Sequence, residues 1–70
     1  MGLVDFVEEY LMELKKQGMQ RVPLQKVVEE VATRYGCLPN SVYNAIKVLE
    51  LKGKVKKVGN RKKKLLEILL

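Results

Sequence analysis

Histidine and tryptophan are absent from this 70-residue chain, cysteine occurs once, and aromatic residues make up only 6%. Without His there is no zinc finger of the Cys/His type and no Ser-His or Cys-His nucleophile pair. A lone cysteine excludes an internal disulfide framework. Cys37 reads as a small buried residue in a turn, with a reactive thiol as the alternative. No phosphate-binding glycine loop and no metal-ligand cluster is present in the sequence. An enzyme is not expected, nor a cofactor or metal. Apolar runs stop at three residues, too short for a transmembrane span or a signal-peptide core. The expectation is a soluble, cytoplasmic protein.

Size sets the next bound. Seventy residues make one domain, and such a chain buries only about 60% of its unfolded surface. Little volume remains for a small-molecule pocket. Yet 47% of the residues are apolar, so part of the surplus points to a subunit interface. Acidic residues are scarce in one half only. Residues 1–33 carry four basic groups against six acidic, whereas residues 34–70 carry ten against two. That asymmetry predicts one side facing a polyanion and another facing something else.

What is present reads as three helices and a hairpin. Leu3, Phe6, Val7, Tyr10, Leu11 and Leu14 space a first helix over about 3–17, with acids early and Lys15-Lys16 late, matching the helix dipole. Its stripe packs as core, and Val4 and Met12 widen it enough to meet a second subunit as well. Arg21-Val22 could add a short edge strand. Leu24, Val27, Val28, Val31 and Tyr35 form the buried face of a second helix over about 24–35, with Glu30 facing water. After Gly36-Cys37, a third helix spans about 39–52. Pro39 suits its first position, and Asn40 or Ser41 is the expected side-chain cap in place of Leu38.

Along this third helix Val42, Ile46 and Leu49 make a buried stripe, while Asn40, Tyr43, Asn44 and Lys47 share another face. A row of amides, a phenol and an ammonium suits a DNA major groove. Beyond Gly53, residues from about 54 to 68 predict a two-stranded hairpin turning at Gly59-Asn60. A two-residue turn sets Val58 opposite Arg61 and Val55 opposite Lys64. On that register Leu66, Ile68 and Leu70 face the helices, and Leu65 and Leu69 face away. A competing reading makes Lys63 to Leu70 a short helix.

Helix, helix, short turn, helix and basic hairpin together resemble the winged helix-turn-helix family, over residues from about Met19 to Ile68. The run Cys37-Leu38-Pro39-Asn40-Ser41-Val42-Tyr43-Asn44-Ala45-Ile46-Lys47-Val48-Leu49-Glu50 is similar to that family's recognition helix. Leu51-Lys52-Gly53-Lys54-Val55 is similar to its entry into the wing. Leu38 departs from the pattern, because the family usually carries Ser or Thr there. The resemblance implies a mainly α fold with a small β-hairpin, of class α+β: three helices and a C-terminal two-stranded wing. It also implies DNA binding, often as a homodimer, in transcriptional control.

The residues themselves carry matching expectations. Asn44, and Asn40 beside it, can present an amide to adenine, and Lys47 can reach guanine or a phosphate. Ser41 and the first N–H groups of the helix suit a phosphate oxygen. Tyr43 either reaches the DNA backbone or packs between helices. Lys56, Lys57, Lys62 and Lys63 suit phosphates, and Arg61 suits minor-groove insertion. The expected partners are double-stranded DNA and a second copy, paired through the first helix and the C-terminal Leu-rich segment. Two other functions fit the sequence: a non-specific or architectural nucleic-acid binder, and a winged-helix protein-interaction adaptor. Few aromatics argue against single-stranded targets.

Overall fold

The first helix, α1, spans Leu3–Lys16 in a computed structural model that describes residues 2–60 and 62–70. It is followed by β1 (Arg21–Pro23), α2 (Leu24–Tyr35), α3 (Pro39–Leu51), β2 (Val55–Gly59) and β3 (Lys64–Ile68). The class is α+β: three helices against a three-stranded antiparallel sheet of order β1-β3-β2.

Periodicity explains what each helix buries. Val7 and Leu11 of α1, Val27, Val28 and Val31 of α2, and Val42, Ile46 and Leu49 of α3 converge on one core. Val55, Leu66 and Ile68 close it from the sheet. No polar side chain is buried among the described residues, so the core carries no desolvation cost to offset. Three valines weaken α2 locally, so its stability comes from this shared burial.

The C-terminal segment is a strand, and the short-helix alternative for Lys63 to Leu70 is set aside. β3 is the central strand, pairing Val22↔Leu66 with β1 and Val55↔Ile68 with β2. A central position favours burial of alternate residues, so Leu66 and Ile68 are buried and Leu69 is exposed. Much of the apolar surplus is therefore taken up within the chain itself. β1 is an edge strand, where Pro23 costs no ladder hydrogen bond.

The hairpin register differs from the two-residue-turn expectation by four residues. Val58 lies opposite Leu65, and Gly59 opposite Lys64. The reason is Asn60, whose side-chain oxygen accepts from the N–H groups of Lys62 (3.0 Å) and Lys63 (2.8 Å). Its own N–H donates to the Lys63 carbonyl at 3.1 Å, which closes a longer loop. The shift is an even number, so each side chain keeps its expected face.

Three more expectations are corrected. Neither Asn40 nor Ser41 caps α3: Leu38 occupies the cap position without a side-chain hydrogen bond, and Pro39 opens the helix. Tyr35 is 40% exposed, its ring lying edge-on to Phe6 at 5.1 Å, because the chain turns away at Gly36. Glu30 is half-buried where water was expected, and accepts a hydrogen bond from the Tyr10 hydroxyl. Burial first, then that bond and the Glu30 charge, push the Tyr10 pKa up to about 12 against the opposing pull of Arg34.

Space is also less tight than the length implies. Residues of α1, β1 and α2 line an open groove of about 780 Å³. No helix among the described residues is long and apolar enough to cross a membrane.

Candidate nucleic-acid interface

α3 divides its surface by helical spacing. Val42, Ala45, Ile46 and Leu49 face the core. On the opposite side Asn40, Asn44, Lys47 and Leu51, at i, i+4, i+7 and i+11, form the outermost line, all exposed. Among the described residues none of Asn40, Asn44 and Lys47 has a side-chain hydrogen bond or ion pair within the chain. Their donors and acceptors are open to a partner.

Tyr43 and Glu50, seven residues apart, lie on one flank of that line. The flank faces the hairpin. Tyr43, 40% exposed, shares a groove of about 500 Å³ with Leu24, Lys57, Gly59, Asn60 and Lys64. Tyr43 thus stands beside Leu24 of α2 as well as the hairpin, with part of its ring exposed. Lys57, which lines that groove, also places its Nζ 4.0 Å from Glu50 Oε1. Ser41 is half-buried off the outer line, and its N–H donates to the Leu38 carbonyl at 3.0 Å.

The hairpin is held to the helices at its base. Gly53 follows α3 with φ +76, donating to the Glu50 carbonyl, while Lys54 N–H reaches back to Leu49. This left-handed exit turns the chain sharply into β2. Lys54 Nζ then meets Glu8 Oε1 of α1 at 2.6 Å. At the other end, Gly59 adopts φ +101, and a Cβ there would lie 2.2 Å from the Lys63 carbonyl oxygen. Only glycine fits that position.

Strand alternation separates two neighbouring lysines. Lys57 shares the sheet face of Val55, on the α3 side, whereas Lys56 lies on the opposite face across from Glu67. Glu67 is also 4.0 Å from Arg21. Lys62 and Lys63 are exposed at the tip. The expectation for Arg61 falls outside the described residues. Thus Tyr43, Lys57 and the tip border one groove beside the Asn40–Lys47 line, and Lys56 does not. Sequence reasoning missed Glu50 as a flank residue and Leu51 as part of the outer line. Helical spacing from Asn40 carries the signal for Leu51.

No cluster of metal-ligating side chains occurs among the described residues. In comparison with known proteins, the chain matches no family model, no curated protein and no solved structure.

Proposed function

We propose that this chain is a winged helix-turn-helix protein that binds double-stranded DNA sequence-specifically, as a transcriptional regulator. α3 enters the major groove, and the β2–β3 hairpin serves as the wing. The observation that carries this reading is the adjacency of two surfaces: the unpartnered Asn40–Asn44–Lys47 line and a lysine-rich hairpin, bordering one groove at Tyr43 and Lys57. A bidentate amide at Asn44 reads adenine, and Lys47 reads guanine or the backbone. Lys57, Lys62 and Lys63 meet phosphates, with Lys56 reaching them only along the ribbon's outer side.

Two copies on a palindrome set their α3 helices about one DNA turn apart, roughly 34 Å. Selection of bound sequences from a random duplex pool tests the reading. A recovered consensus with that spacing supports it, and winners no better than random duplex contradict it.

One observation favours a second reading, a protein-interaction adaptor. Leu51 is 81% exposed at the end of the outer line, and Leu38 is 74% exposed at the N-terminal cap of α3. Exposed apolar residues at both ends of a helix suit a protein surface. Replacing Asn44 and Lys47 with Ala separates the two: a regulator loses its operator, and an adaptor keeps its protein partner.

A further inference from the structure

The groove between α1 and α2 is acidic on its α1 side and, apart from Glu30, which holds the Tyr10 hydroxyl, basic on its α2 side. Glu9 and Glu13 stand on the α1 side, Lys26 and Arg34 on the α2 side. Among the described residues none of these four is in an ion pair within the chain. Half-buried Phe6 and Leu14 floor it, and no described residue of α3 or the hairpin lines it.

The two walls run antiparallel, which fixes their levels. Phe6 meets Tyr35, and one turn on, Tyr10 meets Glu30 while Arg34 stacks 5.4 Å over its ring. A further turn brings Glu13 and Leu14 level with Lys26 and Val27. Arg34, its guanidinium over the Tyr10 ring, brings its charge near the level of Glu9.

We infer that this groove takes a second copy of the chain, with α1 of each copy seated between α1 and α2 of the other. The two-fold axis runs along the groove. Such an axis keeps every residue at its own level and makes the contact isologous. Glu13 of one copy then faces Lys26 of the other, and Glu9 faces Arg34, while Phe6 and Leu14 supply the apolar contact. An axis across the groove instead sets acid on acid. Charge selects the first arrangement. The inference does not rest on duplex binding, and it assigns subunit pairing to α1 and α2 without the C-terminal leucines.

Sedimentation equilibrium of the full chain without nucleic acid tests it, using wild type, Glu13→Lys, Lys26→Glu, the double variant, and an equimolar mixture of the two single variants. Both positions are exposed, and circular dichroism verifies that each variant is folded. Wild type is expected to dimerise, and each single reversal to weaken the dimer by roughly tenfold or more. The mixture and the double variant are both expected to recover the wild-type dimer. A wild type that stays monomeric, single reversals that dimerise as well as wild type, or no recovery in the mixture overturns the inference. Failure of DNA binding leaves all of these results unchanged.

Discussion

Lys57 on β2 and Glu50 on α3 approach to 4.0 Å, nitrogen to oxygen, so the hairpin's inner edge lies against the flank of the helix that carries the amide line. An exposed pair at this distance adds little stability. Its importance is geometric, because it marks where two polar surfaces of different origin become neighbours. A phosphate arriving at Lys57 competes with Glu50 for the same ammonium. Glu50→Gln is therefore expected to strengthen duplex binding modestly, and an unchanged or weaker affinity in a titration at constant salt counts against Lys57 as a phosphate contact.

Substituting Asn44 or Lys47 with Ala separates base reading from backbone contact. Asn44→Ala should cost roughly 1–3 kcal/mol at the selected site and almost nothing on random duplex. Competition binding with both duplexes measures the difference. Equal losses on the two would remove Asn44 from base recognition.

Salt dependence reports the hairpin. With about five phosphates engaged per subunit, log K should fall against log[salt] with a slope near −4 to −5 per monomer. Replacing Lys62 or Lys63 with Ala should each lower that slope by about 1. A slope that neither variant alters places the phosphates elsewhere.

The hairpin tip depends on Gly59 and Asn60. Gly59→Ala forces a side chain into a left-handed backbone and against the Lys63 carbonyl, so a loss on the order of 1–3 kcal/mol is expected. Asn60→Ala removes two local hydrogen bonds, for about 1 kcal/mol. Chemical denaturation gives both numbers. A neutral Gly59→Ala variant would mean that the tip adopts another conformation.

Alkaline pH tests the Tyr10–Glu30 contact. Folding raises the Tyr10 pKa from 10.0 to about 12, so its contribution is intact below pH 10 and is lost as pH rises through about 12. Tyr10→Phe should remove that part of the pH dependence, which denaturation series between pH 9 and about 12 resolve. Parallel curves for the two proteins would assign the alkaline loss to other groups.

Helix periodicity made the core legible from sequence. Val42, Ile46 and Leu49, like Val7 and Leu11, are buried where their spacing sets them, because a helix in a small domain has one dry side. Alternation likewise set Leu66 and Ile68 inward even though the register was misjudged, since a shift of four preserves the face. What the sequence did not reveal depends on tertiary partners. The Asn60 side chain lengthens the turn, Tyr35 meets Phe6 at the rim, and Glu30 takes the Tyr10 hydroxyl, and each needs a residue distant in the chain or a loop geometry without periodicity. The candidate interface was half legible: helical spacing supplied the outer line of α3, but only folding brings the hairpin beside Tyr43.

The most direct measurement is an amide and side-chain NMR titration of the protein with a duplex carrying the selected site. Signals of Asn44, Lys47 and Tyr43 should shift together with those of Lys57, Gly59, Lys62 and Lys63, in one binding event with one affinity. Shifts confined to the hairpin, with the α3 amides unmoved, would contradict the proposal that a single duplex contacts both surfaces.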